Sequence, residues 1–181
     1  MNVEQLHGED MISSSLSRTL GATEGARAHG EYQLECRDSE GNLKWTIGGH
    51  NLVVNEGLQD MNGKYFKGSG YTAAWYLGLI SGTAPSIAAA DTLASHAGWT
   101  EVTDYSQSTR PACSFGTPTA ADPSVATNSL SPATFSINAT TTVGGAFLTS
   151  NSTKGGTTGI LFSAADFSSP GDRSDDSRTG R

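Results

Sequence analysis

Two neighbouring runs of strict alternation constrain this chain more than any other feature. From Glu31, residues Tyr32, Leu34 and Cys36 fall on one side and Gln33, Glu35 and Arg37 on the other, the period of a half-buried strand. Asp38-Ser39-Glu40-Gly41-Asn42 is turn chemistry. Leu43, Trp45 and Ile47 then alternate with Lys44, Thr46 and Gly48, so the pair predicts a hairpin with one apolar face that must be covered.

The remaining pattern supplies the cover. A short apolar run, Leu52-Val53-Val54, follows, and Asn55 is placed to cap a helix whose Leu58, Met61, Tyr65 and Phe66 fall at helical spacing. Gly57 and Gly63 weaken that helix by about 1 kcal/mol each relative to Ala. The continuous run Ala74 to Ile80 predicts a fully buried core strand, ended by Ser81-Gly82-Thr83-Ala84-Pro85. Asp91 to Gly98 predicts a single helical turn, with Asp91 as its cap and Gly98 as its left-handed stop. Further strands are expected at Ala133 to Ile137, Thr141 to Thr149 and Thr158 to Ser163, and Asn151 to Gly156 is a tight turn. Four prolines between Thr109 and Pro132 mark surface loop.

Composition fits this β bias: 22 glycines, 16% charged and 35% hydrophobic residues in 181, a length at which one domain buries about 70% of its unfolded surface. The expected fold is mainly β, a β-sandwich or jelly-roll-like domain over 31–168 with one short helix. Met1 to Gly30, with few large apolar residues, is expected to be an arm that is flexible or ordered on a partner. Residues 169–181 form a polar C-terminal tail in which no strand is legible.

A net charge of -7 argues against nucleic-acid binding, which draws on clustered Lys and Arg. No run approaches the roughly 20 apolar residues of a membrane span, and the acidic start, with Glu4, Glu9 and Asp10, is unlike a secretory signal. Cys36 and Cys113 are expected to be buried free thiols, and the sequons at Asn138 and Asn151 to be incidental.

Reactive groups are sparse. His7, His29, His50 and His96 sit in unrelated contexts. The best constellation is Asp91, His96 and Glu101, carboxylates and an imidazole close enough in sequence to share a loop and serve proton transfer or a metal. Against it, Asp91 caps a turn, His96 satisfies local backbone, and Glu101 lies on a solvated strand face. Lys154-Gly155-Gly156 has its Lys before the glycines, opposite to a phosphate loop, and predicts a turn. Trp45, Trp75, Tyr76 and Trp99 default to core packing, with Trp99 the one best placed to stay exposed. The expectation is a protein that is no enzyme, with no catalytic, metal or cofactor-binding residues and no cofactor.

The run Ala90-Asp91-Thr92-Leu93-Ala94-Ser95-His96-Ala97-Gly98-Trp99-Thr100-Glu101, with Tyr105 and Arg110-Pro111 after it, resembles a segment of small head proteins of tailed bacteriophages and prophages. Asn51 to Leu58, Trp75 to Ile80, and Ala146 to Gly159 with Asp166-Phe167 are similar to the same group, so the resemblance spans about Glu31 to Phe167. It implies a capsid cement or decoration protein on the outside of the phage head, assembled in host cytoplasm. Its partners would be the major capsid protein and further copies of itself, as dimer or trimer. The chain departs from that group after Gly171, where Arg173, Arg178 and Arg181 replace a final alternating strand. The alternative is a tail-fibre or receptor-binding β module that meets host glycans through exposed aromatics such as Trp99.

Overall fold

The structure, a computed structural model, describes residues 28–71, 74–121, 124–167 and 179–180. It is mainly β, with two antiparallel sheets and one short helix. The hairpin forms where the alternation places it: β1 (Glu31–Arg37) pairs with β2 (Leu43–His50). Its turn is held by Asp38, whose carboxylate accepts the Glu40 and Asn42 backbone N–H groups, both at 2.9 Å. Gly41 takes a φ of 87°, open to glycine without strain.

The second sheet has the order β3-β6-β5-β4, from β3 (Leu52–Val53), β4 (Tyr76–Ser81), β5 (Thr141–Thr149) and β6 (Leu161–Asp166). Two extra residues decide which side chains face which side. Ile80 pairs with Gly145 but Ser81 with Val143, so Gly144 is bulged out. A Cβ there would overlap the Gly82 carbonyl oxygen. Likewise Leu148 pairs with Ser163 but Thr149 with Leu161, which bulges Phe162. Each bulge resets the period of two, so Val143 and Ala146 share a face, as do Leu161 and Ala164.

Both faces are therefore buried. On one, Trp45 and Ile47 of the hairpin pack with Leu79, Val102, Val143, Ala146, Ala165 and Phe167, and the Tyr32 hydroxyl hydrogen bonds with that of Ser163 at 2.8 Å. On the other, Val54, Leu93 and Trp99 cover Ile80, Phe147, Leu161 and Ala164. Burial of the Tyr32 phenol pushes its pKa well above the usual range.

Several expectations change. Asn55 is the first residue of α1 (Asn55–Tyr65), not its cap; Val54 holds that place, with no side-chain hydrogen bond. The helix turns its expected apolar stripe outward: Leu58, Met61, Tyr65 and Phe66 are all exposed, and its one buried residue is Gly57. Gly57 sits on the β6 backbone, where a Cβ would overlap the Phe162 carbonyl oxygen. Close approach of helix to strand thus replaces side-chain interdigitation.

β4 begins at Tyr76 and is last in the sheet order rather than central; the nearly wholly buried β5 lies inside the sheet, between β4 and β6. The outer edge of β4 is covered by loop backbone, through Leu77 N–H to the Pro111 carbonyl and Val102 N–H to the Leu79 carbonyl. Asp91 to Gly98 is not a helical turn. Thr92 and Ser95 close a small bridge instead, and Gly98, where a Cβ would overlap the Ser86 carbonyl oxygen, is there for close approach and not for a positive φ.

Ala133 to Ile137 is not a strand. The Gln107 side chain takes the place of a neighbouring strand, donating to the Thr134 carbonyl (3.2 Å) and accepting from Ser136 N–H (3.0 Å), with a lone bridge at Ile137. The sixth strand starts at Leu161, three residues later than Thr158, because Gly159 is still in a turn with φ 104°. Cys36 is half-buried and Cys113 buried, both as free thiols.

Residues 1–27 of the expected arm lie outside the described residues, as does most of the tail. Within the tail Thr179–Gly180 does form a short strand, β7, against Thr141 and Thr142 of β5, so a strand is present where none was legible.

Candidate functional site

Two buried charged side chains, Arg110 and Asp91, lie in the loops that cover the larger sheet. Arg110 is 1% exposed and is the largest fully buried side chain. Its Nε and Nη2 donate to the two carboxylate oxygens of Glu101 at 2.9 and 2.7 Å, the two-point fork that suits a guanidinium. Nη1 donates to the Asn151 carbonyl at 2.9 Å, and Nη2 also to that of Gly156 at 2.8 Å. Glu101 in turn accepts the Gly155 backbone N–H at 3.0 Å. One ion pair therefore joins the 101–110 segment to the β5–β6 turn.

A column of rings continues from it. The Arg110 guanidinium lies 5.2 Å from the centre of the Phe147 ring, Phe147 meets Trp99 at 5.1 Å, and Trp99 stacks on His96 at 3.8 Å. The Phe147 ring fits because its cross-strand partner is Gly78, where a Cβ would enter the ring. Asp91 closes the far end: its carboxylate accepts Trp99 Nε1–H and Ala88 N–H, both at 3.0 Å.

The three residues expected to offer chemistry are thus engaged separately. Asp91 and His96 both hold Trp99, the latter through Nδ1–H to the Trp99 carbonyl at 3.0 Å. Glu101 belongs to Arg110 and is not on a solvated strand face. No group of three metal-ligating side chains occurs among the described residues. Trp99, the aromatic best placed to stay exposed, is 5% exposed. Trp45 is buried in the core as expected, whereas Trp75 and Tyr76 are half-buried.

Lys154 sits in a turn closed by Gly156 N–H to the Thr153 carbonyl at 3.0 Å, with Gly155 at φ 71°. Its ammonium donates to the Tyr105 carbonyl at 2.8 Å and lies 4.4 Å from the Tyr105 ring centre. Burial, and then the Glu101 charge, push the Tyr105 phenol up to about 12. Burial alone pushes the Cys113 thiol to about 11.

Arg110 is the organising residue that residue patterns did not single out. It stands beside a proline in a loop, nine residues from its acid and more than forty from its carbonyl partners, with no periodic signal. No known protein family, curated protein or solved structure matches the chain. The fold and this site define a mainly β protein whose buried ionic and aromatic groups fasten loops to a sheet.

Proposed function

We propose that this protein is a structural component of a tailed-phage particle, a cement or decoration protein that binds the outside of the head. In this reading it bridges neighbouring capsid subunits, associates with the major capsid protein and with further copies of itself, and carries out no catalysis. It would join the virion during assembly in host cytoplasm. The hairpin packed face to face on the larger sheet supports a β-sandwich, jelly-roll-like description.

The observation that carries the proposal is spatial. The segments that resemble phage head proteins meet in one unit: Val54, Ile80, Leu93, Trp99 and Phe147 share a core cluster, with Arg110 against Phe147. A shared set of residues that together fasten loops suits a rigid platform, and binding by several such platforms raises avidity by about 10² to 10⁴ without strong single contacts. Asp91, His96 and Glu101 hold Trp99 and Arg110, which favours a scaffold role for them over proton transfer or metal binding. The tail-fibre alternative loses its main residue, since Trp99 is buried under His96 and bonded to Asp91.

The test is sedimentation of the purified protein with phage heads that lack it, followed by cryo-electron microscopy of the particles. Density on the head exterior is expected, and removal of residues 1–27 should leave the domain folded but lower occupancy. Density only on the tail, or no binding to heads, overturns the reading.

A further inference from the structure

Among the described residues, β1 pairs only with β2, which leaves its other edge without a partner strand. The larger sheet is different: its β4 edge is covered by loop backbone and its β6 edge carries β3. A seven-residue strand with an open edge is a template for pairing. Its inward residues Tyr32, Leu34 and Cys36 touch the core yet stay half-buried, so apolar area is left beside that edge.

We infer that the β1 edge is a self-association surface, on which a second copy of this chain adds its own β1 antiparallel about a two-fold axis at Leu34. The register argues for this occupant. With Leu34 opposite Leu34, Tyr32 faces Cys36 of the other copy, so apolar residues stay on the apolar face. On the outer face Glu31 falls opposite Arg37, and Gln33 opposite Glu35, each twice by symmetry. Centring one residue pair earlier, on Gln33, sets Glu31 against Glu35; centring on Glu35 sets that carboxylate against itself. Like charges directly opposite are destabilising, and a shift by one residue turns the apolar face to solvent. The charges on this edge thus reject those neighbouring registers and match at one. β2 offers no such set, with Gly48 and Gly49 in its second half.

The product is a continuous four-stranded sheet across the dimer, an isologous interface of the commonest kind. It gives a surface to the self-association in the proposed function and stands on β1 alone, so its failure would leave binding to the head surface and the major capsid protein untouched.

Sedimentation velocity across a concentration series tests it, and a dimer is expected. Arg37→Glu and Glu31→Arg each set like charges opposite one another at two places and should weaken dimerisation on the order of tenfold. The double variant Glu31→Arg/Arg37→Glu should recover most of that loss, with circular dichroism showing all three folded. In a Cys36→Ser background, Leu34→Cys should give a covalent dimer under oxidised glutathione, since directly paired Cα atoms lie about 4.5–5.5 Å apart. A monomer at every concentration overturns the inference. So does a dimer that is indifferent to both charge reversals and is not cross-linked through position 34.

Discussion

At the scale of the residue, Arg110 shows how much one side chain can hold together. Its four hydrogen bonds reach Glu101, Asn151 and Gly156, so its loss strands a carboxylate that is 9% exposed and two carbonyls. Removing one partner of a buried pair typically costs about 3–5 kcal/mol. Arg110→Ala should lower the urea midpoint accordingly, with little change in the slope of the transition. Arg110→Lys should recover only a minor share, because a single ammonium cannot span both carboxylate oxygens and two carbonyls. None of this is legible beforehand: the partners are distant in sequence, and an arginine in a polar loop ordinarily points to solvent. Asp91 was more legible. A local polar role was expected for it, but its bond to Trp99 Nε1–H requires the tryptophan to fold back into the core.

At the scale of the element, Gly57 reverses a general rule. In an isolated helix Gly→Ala stabilises by about 1 kcal/mol, yet here the added methyl would strike the Phe162 carbonyl and lift α1 from β6. Gly57→Ala should therefore destabilise by about 1–3 kcal/mol, the range for overpacking, whereas Gly63→Ala, which meets only the Ser69 side chain, should not. Thermal melts of the two variants give the comparison. The β1–β2 turn adds a pH dependence. The Asn42 side chain, and then backbone N–H groups, hold the Asp38 carboxyl below its ordinary range. A depressed pKa contributes stability above the unfolded value, lost as pH falls through the folded one. Protection factors at the Glu40 and Asn42 amides, taken relative to the unstructured exchange rate at each pH, should thus fall below about pH 4, and Asp38→Ala should remove that dependence. The hairpin itself was legible, since alternation and turn residues are local properties. The direction in which α1 faces was not, because helical spacing defines a stripe without saying whether the stripe packs.

At the scale of the whole molecule, the buried proton-bearing groups predict alkaline weakness. Cys113 is pushed to about 11 and Tyr105 to about 12, while the unfolded chain ionises such groups near about 8.5 and 10. Between those limits the folded state holds more protons, so stability falls as pH rises. The melting temperature should be level up to about pH 8.5 and decline through pH 9 to 11, and Cys113→Ala should flatten the first part of the decline. A proposed head-surface role depends on this same rigid body, because loops fastened by Arg110 and Lys154 keep their shape between contacts.

The sequence by itself determined the β character, the hairpin and its turn, the long strand Thr141–Thr149 and the one short helix, because periodicity and turn chemistry act over a few residues. Tertiary structure alone decided the rest. Gly144 and Phe162 became bulges only because neighbouring strands set the register; Ala133 to Ile137 bonds to the Gln107 side chain and to the 104–106 backbone without forming a strand; and Arg110 became the centre of the loops. Each depends on groups far apart in the chain, and only the folded core brings such groups within bonding distance and takes away the water that would otherwise satisfy them.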